Sequence, residues 1–101
     1  MLFYLSKEAE NDLFNIAKYT KDNWGLEQSN LYLIKLDKCF HTIAKYPGIG
    51  QLCNNIRQGY RKYPEGKHMI FYHIASDGIL EITRIMHQNM HYSKHFPGNY
   101  K

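Results

Sequence analysis

The sequence lacks the features of a membrane or secreted protein. No apolar run approaches the roughly 20 residues that a membrane-spanning helix requires. The apolar start at residues 1–5 has no basic segment before it and leads directly into charged residues, unlike a secretory signal. We therefore expect a soluble, cytoplasmic protein with no membrane partner.

Cysteine is also scarce, because Cys39 and Cys53 are the two thiols in 101 residues. They lack the C-x-x-C spacing of redox and zinc sites, and no metal-ligating partners lie near them in sequence. We expect small, reduced side chains that behave as apolar residues. The chain also contains no P-loop, no Ser-His-Asp arrangement and no usefully spaced pair of carboxylates. The sequence thus predicts neither a cofactor nor a metal site.

An excess of positive charge is absent from the first half of the chain and present in the second. Residues 1–50 carry six lysines and six acidic side chains, for a net charge of zero. Residues 51–101 carry seven basic and three acidic side chains, a net of +4, and include all three arginines. A surface of this kind suits an acidic partner, either nucleic acid or an acidic protein segment.

Two amphipathic helices are predicted in the first half. Ser6 is a favoured helix N-cap, and apolar residues recur after it at three- and four-residue spacing over residues 7–23. A second pattern of the same kind covers residues 26–45 and ends before the Pro47-Gly48 pair. The short Trp24-Gly25 connection between them predicts an antiparallel helical hairpin.

The second half changes to a strand pattern after a predicted loop over residues 48–55. Segments rich in Ile, Tyr and Phe alternate with turn residues, including an Asp-Gly pair that favours a tight hairpin. The predicted strands cover residues 60–63, 68–75 and 79–87, with turns at residues 64–66 and 76–78 and a candidate fourth strand at residues 3–5.

The predicted order is therefore β-α-α-β-β-β, an α+β fold in which the N-terminal helical hairpin packs on a small antiparallel sheet. The length suits one domain. We expect this domain over residues 1–96, with residues 97–101 as a C-terminal tail.

A basic cluster surrounds the first strand of the predicted meander. Arginine can grip a carboxylate or a phosphate through two hydrogen bonds, and neighbouring tyrosines could stack on bases. The alternative is an exposed strand whose charged side chains face solvent and discourage edge-to-edge pairing. The residues concerned are Arg57, Arg61, Lys62, Lys67 and His68, with Tyr60 and Tyr63 between them.

Arg84 differs because it lies within an otherwise apolar strand. A charge in such a position is rarely buried without a partner. Either its face of the sheet is a binding concavity, or it pairs with a carboxylate from the helices. Strict alternation groups Arg84 with Leu80, Ile82 and Met86, and places Glu81, Ile85 and His87 on the other face.

The histidines near the C-terminus recur every four residues, at His87, His91 and His95. On a helix this spacing could hold a metal ion, but Pro97-Gly98 and the lack of an apolar stripe favour unliganded tail histidines. Residue types for metal-free RNA cleavage are also present, without spacing that fixes their geometry. They are Arg57, Arg61, Arg84, His68, His87, Tyr72 and Tyr92.

Two segments carry a resemblance to a known family. Residues 56–72, IRQGYRKYPEGKHMIFY, resemble the central signature of ParE toxins: an Arg, then Gly-Tyr-Arg, a Gly two residues before a His, and an apolar pair followed by Phe-Tyr. Residues 82–90, ITRIMHQNM, are similar to the closing motif of the same toxins, an apolar strand with Arg, then His, then Met. Further agreement at Ala9, Asp12, Leu13, Ile16, Trp24-Gly25 and residues 47–50 extends the similarity over about residues 3–90.

The resemblance to ParE toxins of the RelE/ParE superfamily implies a function that composition does not show. It implies the toxin of a type II toxin–antitoxin module, neutralised by a ParD-type antitoxin whose C-terminal segment folds along it. Its target is expected to be DNA gyrase, which such toxins trap on cleaved DNA by binding and not by catalysis. No sequence-specific DNA binding is expected of the toxin itself.

The related RelE branch cleaves mRNA on the ribosome and is the alternative. The His91-Tyr92 pair departs from the ParE pattern, which commonly has an acidic residue there, and is similar to some ribosome-dependent relatives. For a ribonuclease the expected catalytic residues are Arg61, Arg84, His87 and Tyr92. For a binding toxin, the expected antitoxin- and target-binding residues are Arg57, Tyr60, Arg61, Lys62, His68, Tyr72, Arg84 and His87.

Overall fold

The computed structural model describes residues 1–88, and the α+β prediction is confirmed. The elements, in chain order, are β1 (Phe3–Leu5), α1 (Lys7–Trp24), α2 (Leu26–Lys45), a short 3₁₀ turn (Pro47–Ile49), β2 (Gln51–Leu52), β3 (Arg61–Glu65), β4 (His68–Ile74) and β5 (Leu80–His87). The predicted domain limit at residue 96 and the candidates His91, Tyr92 and His95 lie outside the described residues.

The helical hairpin forms as predicted, and its two ends have clear causes. Ser6 caps α1, because its hydroxyl oxygen accepts a hydrogen bond from the backbone N–H of Ala9 at 3.0 Å. Gly25 ends α1 with a φ of 95°, a conformation that favours glycine, and donates its N–H to the carbonyl of Lys21. Among the described residues, no helix is long and apolar enough to cross a membrane.

The sheet has five strands in the order β1-β5-β4-β3-β2. The three-strand meander is confirmed, and residues 3–5 do form an additional strand. The expectation of a fully antiparallel sheet is wrong at one pair, since β1 runs parallel to β5, with Phe3 opposite Leu80. The helical hairpin provides the long connection that returns the chain to the sheet after β1, so β1 and the last strand can share a direction.

The edge of the sheet around β3 differs from the prediction in two ways. The expected loop over residues 48–55 contains the 3₁₀ turn and the two-residue strand β2. In addition, β3 continues through Pro64 to Glu65, so the turn that follows lies at Gly66-Lys67. Because β2 pairs with Arg61 and Lys62 alone, Pro64 has no neighbouring strand in the described chain on its outer side, where a proline is tolerated.

A bulge in β5 changes which of its side chains share a face. The register of β4 and β5 shifts so that Phe71 lies opposite Arg84, while the next residue along β4 lies opposite Ile82. Thr83 is thus an extra residue, and the alternation is offset from there onward. The predicted grouping of Arg84 with Ile82 is wrong for this reason, because Ile85 shares the core face with Ile82 and Arg84 does not.

Two cores stabilise the two faces of the sheet. The larger one lies between the helical hairpin and one face, and its fully buried members come from both layers, among them Leu36, Ile43, Ile70 and Ile82. The smaller one lies on the opposite face, where the loop before β3 packs against the sheet. It contains Cys53, Ile56, Tyr60, Phe71 and Met86.

Candidate functional site

A groove of about 970 Å³ opens between the helical hairpin and the end of the sheet where β4 begins and β5 ends. Residues of α1 and α2 form one side of it, and the Gly66-Lys67 turn and the last residues of β5 form the other. Apolar side chains such as Ile16, Ile85 and Met86 contribute to the lining. The groove therefore combines an apolar interior with polar and charged side chains around it.

Two exposed aromatic side chains line the groove. Trp24 and Tyr19 line it and are 71% and 67% exposed, although both belong to a helix that packs against the sheet. Large aromatic side chains that remain in solvent at the mouth of a groove are typical of a surface that a partner covers.

Arg84 lines the groove and is paired with a carboxylate of α1. Its Nε and Nη2 donate to the two carboxylate oxygens of Asp12 at 2.8 Å and 2.9 Å, and both side chains are largely buried. The hydrogen bond with Asp12 raises the pKa of Arg84. Of the two alternatives for Arg84, pairing with a helix carboxylate is thus confirmed, and the pair also forms part of the groove wall.

Asp12 also accepts a hydrogen bond from the backbone at the edge of β5. Strand β1 pairs with β5 as far as Ile82, so the next backbone groups along this edge of β5 need other partners. The Ser6 hydroxyl donates to the carbonyl of Thr83 at 2.7 Å, and the backbone N–H of Ile85 donates to Asp12 at 2.9 Å. Helix α1 therefore closes the sheet edge that β1 leaves open.

His68 and His87 lie opposite each other on β4 and β5 beside the groove, with ring centres 5.7 Å apart. Nδ1 of His68 is 2.7 Å from the hydroxyl of Tyr32, which in turn donates to the carbonyl of Glu65 at 2.9 Å. Burial, followed by the neighbouring His87, lowers the pKa of His68. Burial raises the pKa of Tyr32 to about 12, so Tyr32 stays a hydrogen-bond donor at neutral pH.

Two other candidate residues, Arg61 and Tyr72, have a structural role away from the groove. The Tyr72 hydroxyl accepts from the backbone N–H of Gly50 and donates to the carbonyl of Pro47, both at 2.8 Å. Arg61 Nη1 donates to the carbonyl of Gly50 at 2.8 Å. A Cβ on Gly50 would lie 2.5 Å from the Tyr72 hydroxyl, so only glycine fits. We call Gly50, Arg61 and Tyr72 the loop anchor.

The remaining candidates lie on the sheet face that the helices do not cover. Tyr60 is buried, and its ring stacks on His73 with centres 4.2 Å apart and planes at 11°. The Arg57 guanidinium lies 5.5 Å from the centre of the Tyr60 ring. His73 also contacts Glu81 at 2.8 Å. Lys62 lies opposite Phe71 in the register and is half-buried.

The structure thus divides the eight candidate residues into three groups. Three of them, His68, Arg84 and His87, line the groove. Arg61 and Tyr72 belong to the loop anchor. The remaining three, Arg57, Tyr60 and Lys62, lie on or beside the face opposite the helices. Within residues 1–88, no group of three or more His, Cys, Asp or Glu side chains is arranged to hold a metal ion.

Several groove residues are not among the candidates that the sequence predicts. Asp12, Ile16 and Tyr19 recur at helical spacing and therefore lie on one face of α1, which was a usable signal. The sequence predicts Trp24 as part of a turn and places Tyr32 within the second helix, with no sign of a binding role for either. Their place beside His68 depends on how the hairpin packs on the sheet, which local spacing does not specify.

Comparisons with known proteins agree with the described fold. The family model "ParE toxin of type II toxin-antitoxin system, parDE" matches residues 3–92. A relative from Mycobacterium tuberculosis named Toxin ParE1 is 38% identical over 88 residues, which cover 87% of this chain and 90% of the relative. One of the same name from Caulobacter vibrioides is 38% identical over 93 residues, which cover 92% and 95%.

A solved structure agrees as well. Its title is "Chromosomal ParDE TA system from P. aeruginosa", and the alignment has a TM-score of 0.74, covering 86% of this chain and 95% of that chain. At 15% sequence identity, this likeness concerns the fold alone.

Proposed function

This chain belongs to the ParE toxin family of type II toxin–antitoxin systems, and we propose that it inhibits DNA gyrase by binding while a ParD-like antitoxin neutralises it. Gyrase inhibition is the role for which ParE toxins are known. Trapping gyrase on cleaved DNA would stop replication and arrest growth. A cytoplasmic location follows from such a target.

We propose the groove as the binding site of the antitoxin. The observation that carries this proposal is the exposed aromatic surface of Trp24 and Tyr19 beside the apolar side chains of Ile16 and Ile85. An amphipathic helix places its apolar face in a groove of this composition, and Trp, Tyr and Arg contribute much of the binding energy at interfaces. A segment that folds as it binds can cover a large surface, and this wide contact offsets the entropy lost when the segment becomes ordered.

Charge favours an acidic segment as the occupant. Lys67 is exposed at the groove, whereas the charge of Arg84 is already neutralised by Asp12. The chain as a whole carries a net charge of +4. A positive net charge accelerates association with an acidic partner, and a single exposed lysine adds specificity more than affinity. The apolar contacts therefore provide most of the expected affinity.

Several contacts support action by binding over catalysis. Of the four residues that a ribonuclease of the RelE branch would use, Arg84 and His87 line the groove, and Tyr92 lies beyond residue 88. Arg61 belongs to the loop anchor, where its guanidinium is bonded to the carbonyl of Gly50. Arg84 is held by a two-point contact with Asp12, whose carboxylate compensates its charge.

The test uses purified protein, DNA gyrase and relaxed plasmid DNA. We expect inhibited supercoiling and accumulation of gyrase-linked cleaved DNA, both reversed by a ParD-like antitoxin. In a parallel translation reaction with purified ribosomes, protein synthesis should continue. Arrested translation with mRNA cut at the ribosomal A site, and unaffected gyrase, would exclude the proposal and support the RelE-type alternative.

A variant experiment separates the two activities further. Arg84, His87 and Tyr92 are replaced together, and circular dichroism shows whether the variant is folded. Toxicity that persists in that folded variant would exclude the ribonuclease.

A further inference from the structure

Two histidines lie close together at the groove. His68 and His87 are directly opposite each other on antiparallel strands, so their side chains project from the same face of the sheet. Their ring centres are 5.7 Å apart and their planes are inclined by 75°. Two imidazoles that coordinate one Zn²⁺ at about 2.0–2.1 Å with a tetrahedral angle have ring centres roughly 5.3 Å apart. The observed separation is within a few tenths of an ångström of that value.

Hydrogen bonding selects the form of His68 that can bind a metal ion. The Tyr32 hydroxyl has one hydrogen, which it donates to the carbonyl of Glu65. Its oxygen therefore accepts the contact with His68, so Nδ1 of His68 carries the hydrogen. The lone pair of a neutral His68 is then on Nε2. A ligating histidine in proteins typically has its other nitrogen held by a partner of this kind.

The pair lies where an ion can reach it from solvent. His68 is half-buried in the wall of the groove. His87 is exposed. The nearby positive charge of Arg84 is compensated by Asp12. Lys67 is exposed and can extend its ammonium group into water.

We propose that His68 and His87 bind a divalent transition-metal ion such as Zn²⁺ through one imidazole nitrogen each, with water completing the coordination. Imidazole ligands suit Zn²⁺, Cu²⁺ and Ni²⁺, whereas Mg²⁺ and Ca²⁺ prefer oxygen ligands. The site does not depend on gyrase as the target. An ion bound there would lie at the groove that we assign to the antitoxin.

The experiment is a titration of the untagged full-length protein with Zn²⁺ at pH 7.5, followed by calorimetry and by competition with a chromophoric chelator. We expect one ion per chain and a shift of the His68 and His87 ring resonances in NMR spectra. Replacement His68→Asn or His87→Asn should weaken binding at least tenfold. His41→Asn is the matched control, because His41 is an exposed histidine on α2 outside the groove, and it should change nothing.

Tyr32→Phe tests the supporting hydrogen bond without removing a ligand. It should weaken Zn²⁺ binding, since loss of the partner of a ligating histidine typically costs about 10–100-fold in affinity. Binding that is absent, or that is unchanged in folded His68→Asn protein, would overturn the proposal. The proposal would also be overturned if Zn²⁺ binding survived His68→Asn but disappeared on replacement of His91 and His95. The ion would then be bound by the C-terminal segment.

Discussion

The groove and the loop anchor contain the same kinds of residue in opposite situations. In the loop anchor, the hydroxyl of Tyr72 and the guanidinium of Arg61 bond to the backbone of Pro47 and Gly50, and Tyr72 is 1% exposed. At the groove, Trp24 and Tyr19 keep most of their surface in solvent. Residue type alone therefore does not distinguish a binding residue from one that holds a loop in place.

The difference lies in what satisfies the polar atoms. A buried polar group requires a partner within the protein, and the irregular segment between α2 and β2 has backbone groups that no strand pairs. Tyr72 and Arg61 supply those bonds. At the groove, Trp24 and Tyr19 remain exposed, so their aromatic faces are accessible to another molecule.

Arg84 is the residue that most directly challenges this contrast, because it lines the groove and is also internally paired. Asp12→Ala would remove the partner of Arg84 and the acceptor of the Ile85 N–H. We expect a loss of about 3 kcal/mol in the free energy of unfolding, because a largely buried charge and a backbone donor both lose their partner. Urea denaturation measures this loss of unfolding free energy. Glu10→Ala, an exposed acid on the same helix, is the control, and equal effects would refute the assignment.

The loop anchor provides the next largest effect. Tyr72→Phe keeps the ring in the core but leaves the buried N–H of Gly50 without its acceptor. We expect a loss of about 2 kcal/mol in unfolding free energy. Chemical denaturation should show little change for Tyr46→Phe, whose side chain is exposed. A Tyr72→Phe protein of unchanged stability would show that the hydroxyl does not hold the loop.

The smallest effect concerns the pH dependence of stability. The pKa of His68 in the folded protein is below its ordinary value of 6.5, so below pH 6.5 the unfolded chain binds more protons than the folded one. The contribution of His68 to stability is therefore present above pH 6.5 and falls as the pH drops toward the folded pKa. His68→Gln should flatten this part of the denaturation profile. A profile unaltered by His68→Gln would contradict the burial of this imidazole.

Much of the fold could be predicted because local signals agreed with one another. The helix bounds follow from Ser6, the apolar spacing and Gly25, and the meander follows from alternation and turns. The parallel pairing of β1 could not be predicted, because three residues carry no signal of direction. The continuation of β3 through Pro64 was also missed, since a proline usually interrupts a strand unless its outer side is unpaired.

The candidate site was less predictable for a physical reason. One extra residue at Thr83 moves Arg84 to the face opposite Ile82, and a bulge has no clear signature in this strand. The sequence identified Arg84 as a charge that needs a partner, but Asp12 is 72 residues away and was only one of several acids on the helices. Likewise, nothing local distinguishes Tyr72, which is buried in the loop anchor, from a tyrosine that faces a partner.

The assignment of the groove as the antitoxin site is tested most directly by the affinity of two variants for a ParD-like antitoxin. Trp24→Ala removes an exposed groove side chain, and Tyr72→Phe alters the loop anchor. We expect Trp24→Ala to raise the dissociation constant about 30-fold, a loss of about 2 kcal/mol in binding free energy. Its unfolding free energy should stay close to that of the wild type. Folded Tyr72→Phe should bind the antitoxin as the wild type does. Wild-type affinity in Trp24→Ala, together with weakened binding in folded Tyr72→Phe, would contradict the assignment of the groove as the antitoxin site.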